Sequence, residues 1–159
     1  MFESLEGRRF LAGTPFHGTA FDVNQVIQAE DFNLGGEGVA YHDTTATNEF
    51  GGYRGAEGPD IESTTDAGAG YNVGFIKAGE FLDYTVNVPA AGAYNVSFRL
   101  ANIRGGGTFH LADGSGANLT GSIAVPNTAK MAVAPPCMIA VPKPRTIQVP
   151  MPASAARCR

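Results

Sequence analysis

Tryptophan is missing from the 159 residues, cysteine occurs only twice, and no apolar run approaches the length needed to cross a bilayer as a helix. Charged residues make up 16% of the chain and the net charge is -4. The only adjacent basic pair is Arg8-Arg9, so nucleic acid is not expected as the main partner, and neither is a membrane. Two cysteines, Cys137 and Cys158, are too few for a disulfide framework and leave the redox compartment open. The motifs of the common catalytic folds are absent too. There is no P-loop, no HExxH and no GxSxG, and His17, His42 and His110 are scattered. The stretch Gly68-Ala69-Gly70-Tyr71-Asn72-Val73-Gly74 reads GxGxxxG, with no helical pattern behind it to hold a pyrophosphate.

What the chain has in quantity is glycine and proline, 21 and 10 respectively, which disfavour long helices and favour short strands joined by turns. Leu, Ile, Val and Phe number 35, enough for one modest core. The hydrophobic period is two. Leu82 to Val88 and Tyr94 to Leu100 alternate apolar and polar residues on either side of a turn at Pro89–Ala93. Further strands are predicted at Val26 to Glu30, Asp60 to Ser63, Val73 to Ile76, Thr108 to Ala112 and Leu119 to Val125. Six or seven such strands imply an all-β, antiparallel sandwich.

Composition changes sharply at Thr128. The first 128 residues carry a net charge of -9, every glycine and every aromatic residue; the last 31 carry +5, both cysteines and six of the ten prolines. A tail or linker would give this signature, and so would a shift of reading frame. Proline at 135, 136, 142, 144, 150 and 152 predicts an extended or disordered segment over 129–159. At the other end, residues 1–23 read as a lead-in, with Met1 to Pro15 similar to the FESLExRxLL-type segment near the start of many exported bacterial proteins.

Three local patterns carry chemistry. Glu57, Asp60 and Glu62 supply carboxylates, but on a β segment such groups are solvated far more often than they are a glycosidase pair. Gln28 and Glu30, at i and i+2, would share one face of a strand and could converge on one hard cation, although spacing alone favours an ordinary edge-strand polar pair. Phe75, beside Gly74 and near Asn72, could offer a flat apolar face to a sugar ring, or could simply be core.

The ordered blocks Val26-Ile27-Gln28-Ala29-Glu30-Asp31-Phe32, Gly51-Gly52-Tyr53-Arg54, Gly58-Pro59-Asp60-Ile61-Glu62, Gly70-Tyr71-Asn72-Val73-Gly74-Phe75-Ile76, Ala78 to Pro89 and Val125-Pro126-Asn127-Thr128 together resemble carbohydrate-binding module family 6 over about residues 24–128. The resemblance implies a β-jelly-roll sandwich, a structural calcium with Gln28 and Glu30 among its ligands, and a sugar site at the loop end of the sandwich with Phe75, Tyr71 and Asn72. It further implies a secreted, non-catalytic module that binds plant or algal polysaccharide and belongs to a polysaccharide-degrading protein. A catalytic jelly roll of a hydrolase or lyase is one alternative, and a calcium-stabilised structural or adhesive module without sugar affinity is another. After Thr128 the family's Gly-Gly-Trp is replaced by Ala129-Lys130-Met131, so the second stacking aromatic, the last calcium ligand and the closing strands are expected to be missing. The expectations are therefore an incomplete sandwich, an incomplete calcium site and weak sugar affinity resting on Phe75.

Overall fold

The computed structural model describes residues 13–64 and 70–128 in full and the strands 145–149 and 156–158 as backbone. Cys137, the side chain of Cys158 and residues 1–12 of the lead-in lie outside what it describes. The elements are short: β1 (Phe21–Asp22), a 3-10 turn (Ala29–Asp31), β2 (Tyr41–His42), β3 (Ile61–Thr64), β4 (Gly70–Val73), β5 (Phe81–Tyr84), β6 (Val86–Asn87), β7 (Gly92–Val96), β8 (Thr108–Phe109), β9 (Leu111–Asp113), β10 (Ile123–Ala124), β11 (Arg145–Val149) and β12 (Ala156–Cys158). All pairings between strands are antiparallel except β1 with β6.

The core is small and aromatic. Phe32, Ala40, Tyr41 and Ile61 are buried together, and Tyr53, Tyr71, Val73, Leu82 and Tyr84 pack against them. Complete burial of Phe32 and Ile61 contributes about 1.5–3 kcal/mol each. Phe32 meets Tyr41 edge to face at 5.4 Å between ring centroids, and the Tyr41 hydroxyl accepts the Gly58 N–H, so one residue both fills the core and satisfies a buried loop.

Several sequence expectations change in detail. Val26 to Glu30 is not a strand: Gln28 is extended and Ala29–Asp31 forms the 3-10 turn. Val73 to Ile76 is not a strand either. β4 ends at Val73, and Phe75 adopts a φ of 55°. The long alternating run Leu82 to Val88 breaks into β5 and β6 at Thr85, because the Thr85 N–H goes to the Asn33 side chain and its carbonyl accepts the Phe21 N–H. Alternation in the sequence registers which face is wet but cannot register that the strand changes partners.

The ends are better integrated than expected. Thr14 bridges Leu34 through two backbone hydrogen bonds of 2.8 Å, and β1 pairs with β6, so the later part of the segment read as a lead-in is hydrogen-bonded to the described strands and loops. Within the proline-rich segment, β11 pairs with β7 over five residues, and β12 lies between β5 and β9 in the four-stranded order β2-β5-β12-β9. Strand pairing thus reaches into the segment expected to be extended or disordered. The five residues 145–149 fall between Pro144 and Pro150, and 156–158 follow the last proline, so each strand occupies a proline-free window.

Candidate functional site

Two loops, at residues 48–57 and 74–80, lie beside the β3–β4 hairpin. Asn48 and Asp60, both buried, shape the first. Asn48 accepts the Phe50 N–H on its side-chain oxygen at 2.9 Å and donates to the Tyr53 carbonyl, while Asp60 accepts the Glu49 N–H at 2.8 Å. Gly51 and Gly52 then turn the chain with φ of 61° and 77°, which side-chain-bearing residues adopt only at a cost. The second loop starts where the Gly74 N–H donates to the Asp60 carbonyl at 2.9 Å. Asp60 therefore ties both loops to one point, its side chain holding the first and its backbone the second.

Each loop carries an exposed phenylalanine. Phe75 is 57% exposed and Phe50 is 47% exposed, and their rings stack with centroids 5.0 Å apart and planes inclined by 26°. A bulky residue in the left-handed region is strained by about 1–2 kcal/mol, and Phe75 carries that strain while leaving most of its ring in solvent. Beside the pair lies a shallow concavity of about 330 Å³, lined by Phe50, Gly51, Gly52, Ile61, Glu62, Ser63 and Tyr71. It offers a flat ring, a carboxylate and a hydroxyl within one surface, the combination that fits the apolar face and the hydroxyls of a sugar.

The residues singled out from the sequence divide into three groups. Phe75 is where a ligand can reach it. Tyr71 is mainly structural: its ring stacks on Tyr53 at 4.5 Å and packs on the core, and it only contributes to the wall of the concavity. Asn72 is opposite Glu62 in the β3–β4 register and donates a long 3.4 Å hydrogen bond to it; its side-chain oxygen is buried with no partner among the described residues. Phe50 and Glu62 complete the surface. No sequence pattern pointed to Phe50, whose partner is 25 residues away, whereas Glu62 had been weighed only as a catalytic acid.

Gln28 and Glu30 lie on the other side of β4, at the 3-10 turn. Glu30 is 5% exposed, and burial pushes its carboxyl above the ordinary range, offset in part by hydrogen bonds from its own N–H and that of Tyr71. One oxygen of Glu30 and the side-chain oxygen of Gln28 are buried with no hydrogen-bond partner among the described residues. Two unpaired buried oxygens on neighbouring residues are costly unless a cation or donor meets them, and an amide oxygen with a carboxylate suits a hard cation. The pair is only part of a set, since among the described residues no group of three or more His, Cys, Asp or Glu could hold a metal ion. The neighbouring Asp31 is engaged otherwise, accepting the Tyr53 hydroxyl and bonding to His17, both at 2.9 Å.

The three carboxylates weighed as a glycosidase pair have separate surroundings. Glu57 is paired with Arg54, and Asp60 is spent on the loops. Glu62 accepts the long hydrogen bond from Asn72 and is the carboxylate in the lining of the concavity.

Comparison with known proteins finds similar folds. The structure is similar to the C-terminal family 6 module of a marine laminarinase from Zobellia galactanivorans, with a TM-score of 0.56 and 22% identity over 83% of this chain and 84% of that one. It is also similar to a carbohydrate-binding module of lichenase 5A from Cellvibrio mixtus, solved with cellotriose, at TM-score 0.53 and 29% identity over 73% of this chain and 85% of that one. A β-1,3-glucan-binding family 6 module from Bacillus halodurans gives 0.56 and 19% over 88% and 85%. In sequence, 69 residues are 35% identical to the clotting factor G alpha subunit of Tachypleus tridentatus, spanning 43% of this chain but only 10% of that protein. The fold is thus the β-sandwich of these modules. The sequence model of carbohydrate binding module family 6 matches residues 49–133, more than half of the chain and the whole of the surface just described, and the chain belongs to that family.

Proposed function

We propose that this module binds β-linked glucan chains of plant or algal origin, without transforming them, through the exposed Phe50–Phe75 surface, and that it serves a secreted polysaccharide-degrading protein. The observation that carries the reading is Phe75, held in a strained backbone conformation with its ring 57% exposed next to a concavity that contains a carboxylate. The similar module of lichenase 5A, solved with cellotriose, supports the choice of glucan. Affinity is expected to be weak. One ring stacked on a sugar contributes about 1–3 kcal/mol by analogy with base stacking, and millimolar binding takes about 4 kcal/mol. Isothermal titration of the full chain with soluble β-1,3-, β-1,4- and mixed-linkage glucans should give dissociation constants near millimolar. Phe75→Ala should lower the affinity at least about tenfold. Micromolar binding that survives Phe75→Ala would place the site elsewhere, and no binding to any glucan would favour a structural or adhesive role.

Calcium is the second part of the proposal. Gln28 and Glu30 would supply two oxygens to it, and the unpaired state of both oxygens is the support. Bound there, the ion would fix the 3-10 turn against β4 and would take no part in chemistry. Calcium at millimolar concentration should raise the melting temperature of the full chain, a chelator should reverse the rise, and Glu30→Gln should remove it. A melting temperature indifferent to both additions would show that this pair holds no calcium.

A further inference from the structure

Phe50 and Phe75 are too close to grip a sugar between them. An inserted ring needs a van der Waals gap of about 3.5–4.0 Å on each side, and the centroids stand 5.0 Å apart in total. Each phenylalanine therefore covers one face of the other and keeps its opposite face for solvent, consistent with the exposure of both. The two free faces look in different directions. Phe50 lines the concavity, together with Glu62 and Ser63, and Phe75 does not.

Resting on the carbohydrate-binding reading, we propose that Phe50 is a second sugar-stacking surface and forms a subsite of its own. Its ring would meet the apolar face of one sugar unit, and the Glu62 carboxylate and Ser63 hydroxyl would take hydroxyl hydrogen bonds at the edge. Phe75 serves another unit on the far side of the pair. The subsite is prepared in advance, because Asn48 fixes the backbone of Phe50 and Asp60 fixes that of its neighbour Glu49. A long chain reaches both surfaces and a short oligosaccharide reaches one, so affinity rises with chain length.

The experiment compares Phe50→Leu, Phe50→Tyr and Phe75→Ala in the full chain, titrated with a soluble β-glucan polymer and with a short oligosaccharide of the same linkage. Leucine keeps apolar bulk against Phe75 but removes the flat face, and tyrosine keeps the face. The expected result is a loss of about threefold to tenfold for the polymer with Phe50→Leu, and near-native affinity with Phe50→Tyr. Unchanged polymer affinity in Phe50→Leu, alongside a loss in Phe75→Ala, would reduce Phe50 to a brace and overturn the inference while leaving the carbohydrate-binding reading intact. Absence of binding by the unsubstituted chain would instead remove that reading. Should Phe50→Leu fail to fold, nuclear Overhauser contacts between Phe50 ring protons and sugar C–H protons in the unsubstituted chain decide the matter: their presence supports the subsite and their absence at saturation overturns it.

Discussion

Arg54 does more for the architecture of the site than its single charge suggests. Among the described residues it is one of two non-glycine residues with positive φ, the other being Phe75, and its side chain is only 4% exposed. The guanidinium donates to the backbone carbonyls of Glu30, Phe32 and Asn33, pairs with Glu57, and lies over the rings of Phe32 at 3.4 Å and Phe16 at 4.6 Å. In this way the loop that carries Phe50 is locked to the segment that carries the calcium-ligand candidates. A lysine in the same place has no planar fork and cannot serve three carbonyls and a carboxylate together. Arg54→Lys should therefore destabilise the fold by about 2 kcal/mol or more, read as a fall in the denaturant midpoint. A change under about 0.5 kcal/mol would mean that these contacts are not held in solution. From the sequence, Gly51-Gly52-Tyr53-Arg54 was legible only as part of a family resemblance. Glu57 is a local partner three residues on, but the carbonyl and ring partners of Arg54 are more than twenty residues upstream, and no local rule assigns them.

At the scale of elements, the hairpin of β3 and β4 shows what could be read in advance and what could not. Its first strand is expected at Asp60 to Ser63 and is found at Ile61–Thr64, where Ile61 is buried in the core. Its second strand was expected three residues too late. Val73, Phe75 and Ile76 look like strand residues by type, but β4 stops at Val73, and Gly74 bonds to Asp60 outside any ladder. The exposure of Phe75 and Ile76 follows from that early stop. Propensity reads apolar residues as core, whereas here they are placed on an exposed loop. The same local blindness applied to Gln28 and Glu30. Their alternation suggested one strand face, but a 3-10 turn brings them to the hairpin by another route, with Glu30 reaching the Tyr71 N–H.

Across the whole molecule, the strands nearest the end of the chain occupy positions that decide whether the sheet is continuous. β12 lies between β5 and β9, so Arg157 is paired across to Asp83 on one side and to Ala112 on the other. β5 in turn borders β2, and Asp83 exchanges backbone hydrogen bonds with Ala40 and Asn33 beside the core. Composition hid this arrangement, because the prolines and the reversed charge after Thr128 read as a break while strand pairing depends on backbone groups that any non-proline residue supplies. The place of β12 in the sheet can be tested through the backbone alone. Arg157→Pro removes one N–H from an interior strand and places a ring where the ladder has a neighbour on each side, whereas Arg157→Ala keeps the ladder and removes only the side chain. The proline variant should lose about 3 kcal/mol or more and unfold with a lowered melting temperature, well below that of the alanine variant. Equal melting temperatures in the two variants would show that β12 adds nothing to the sheet.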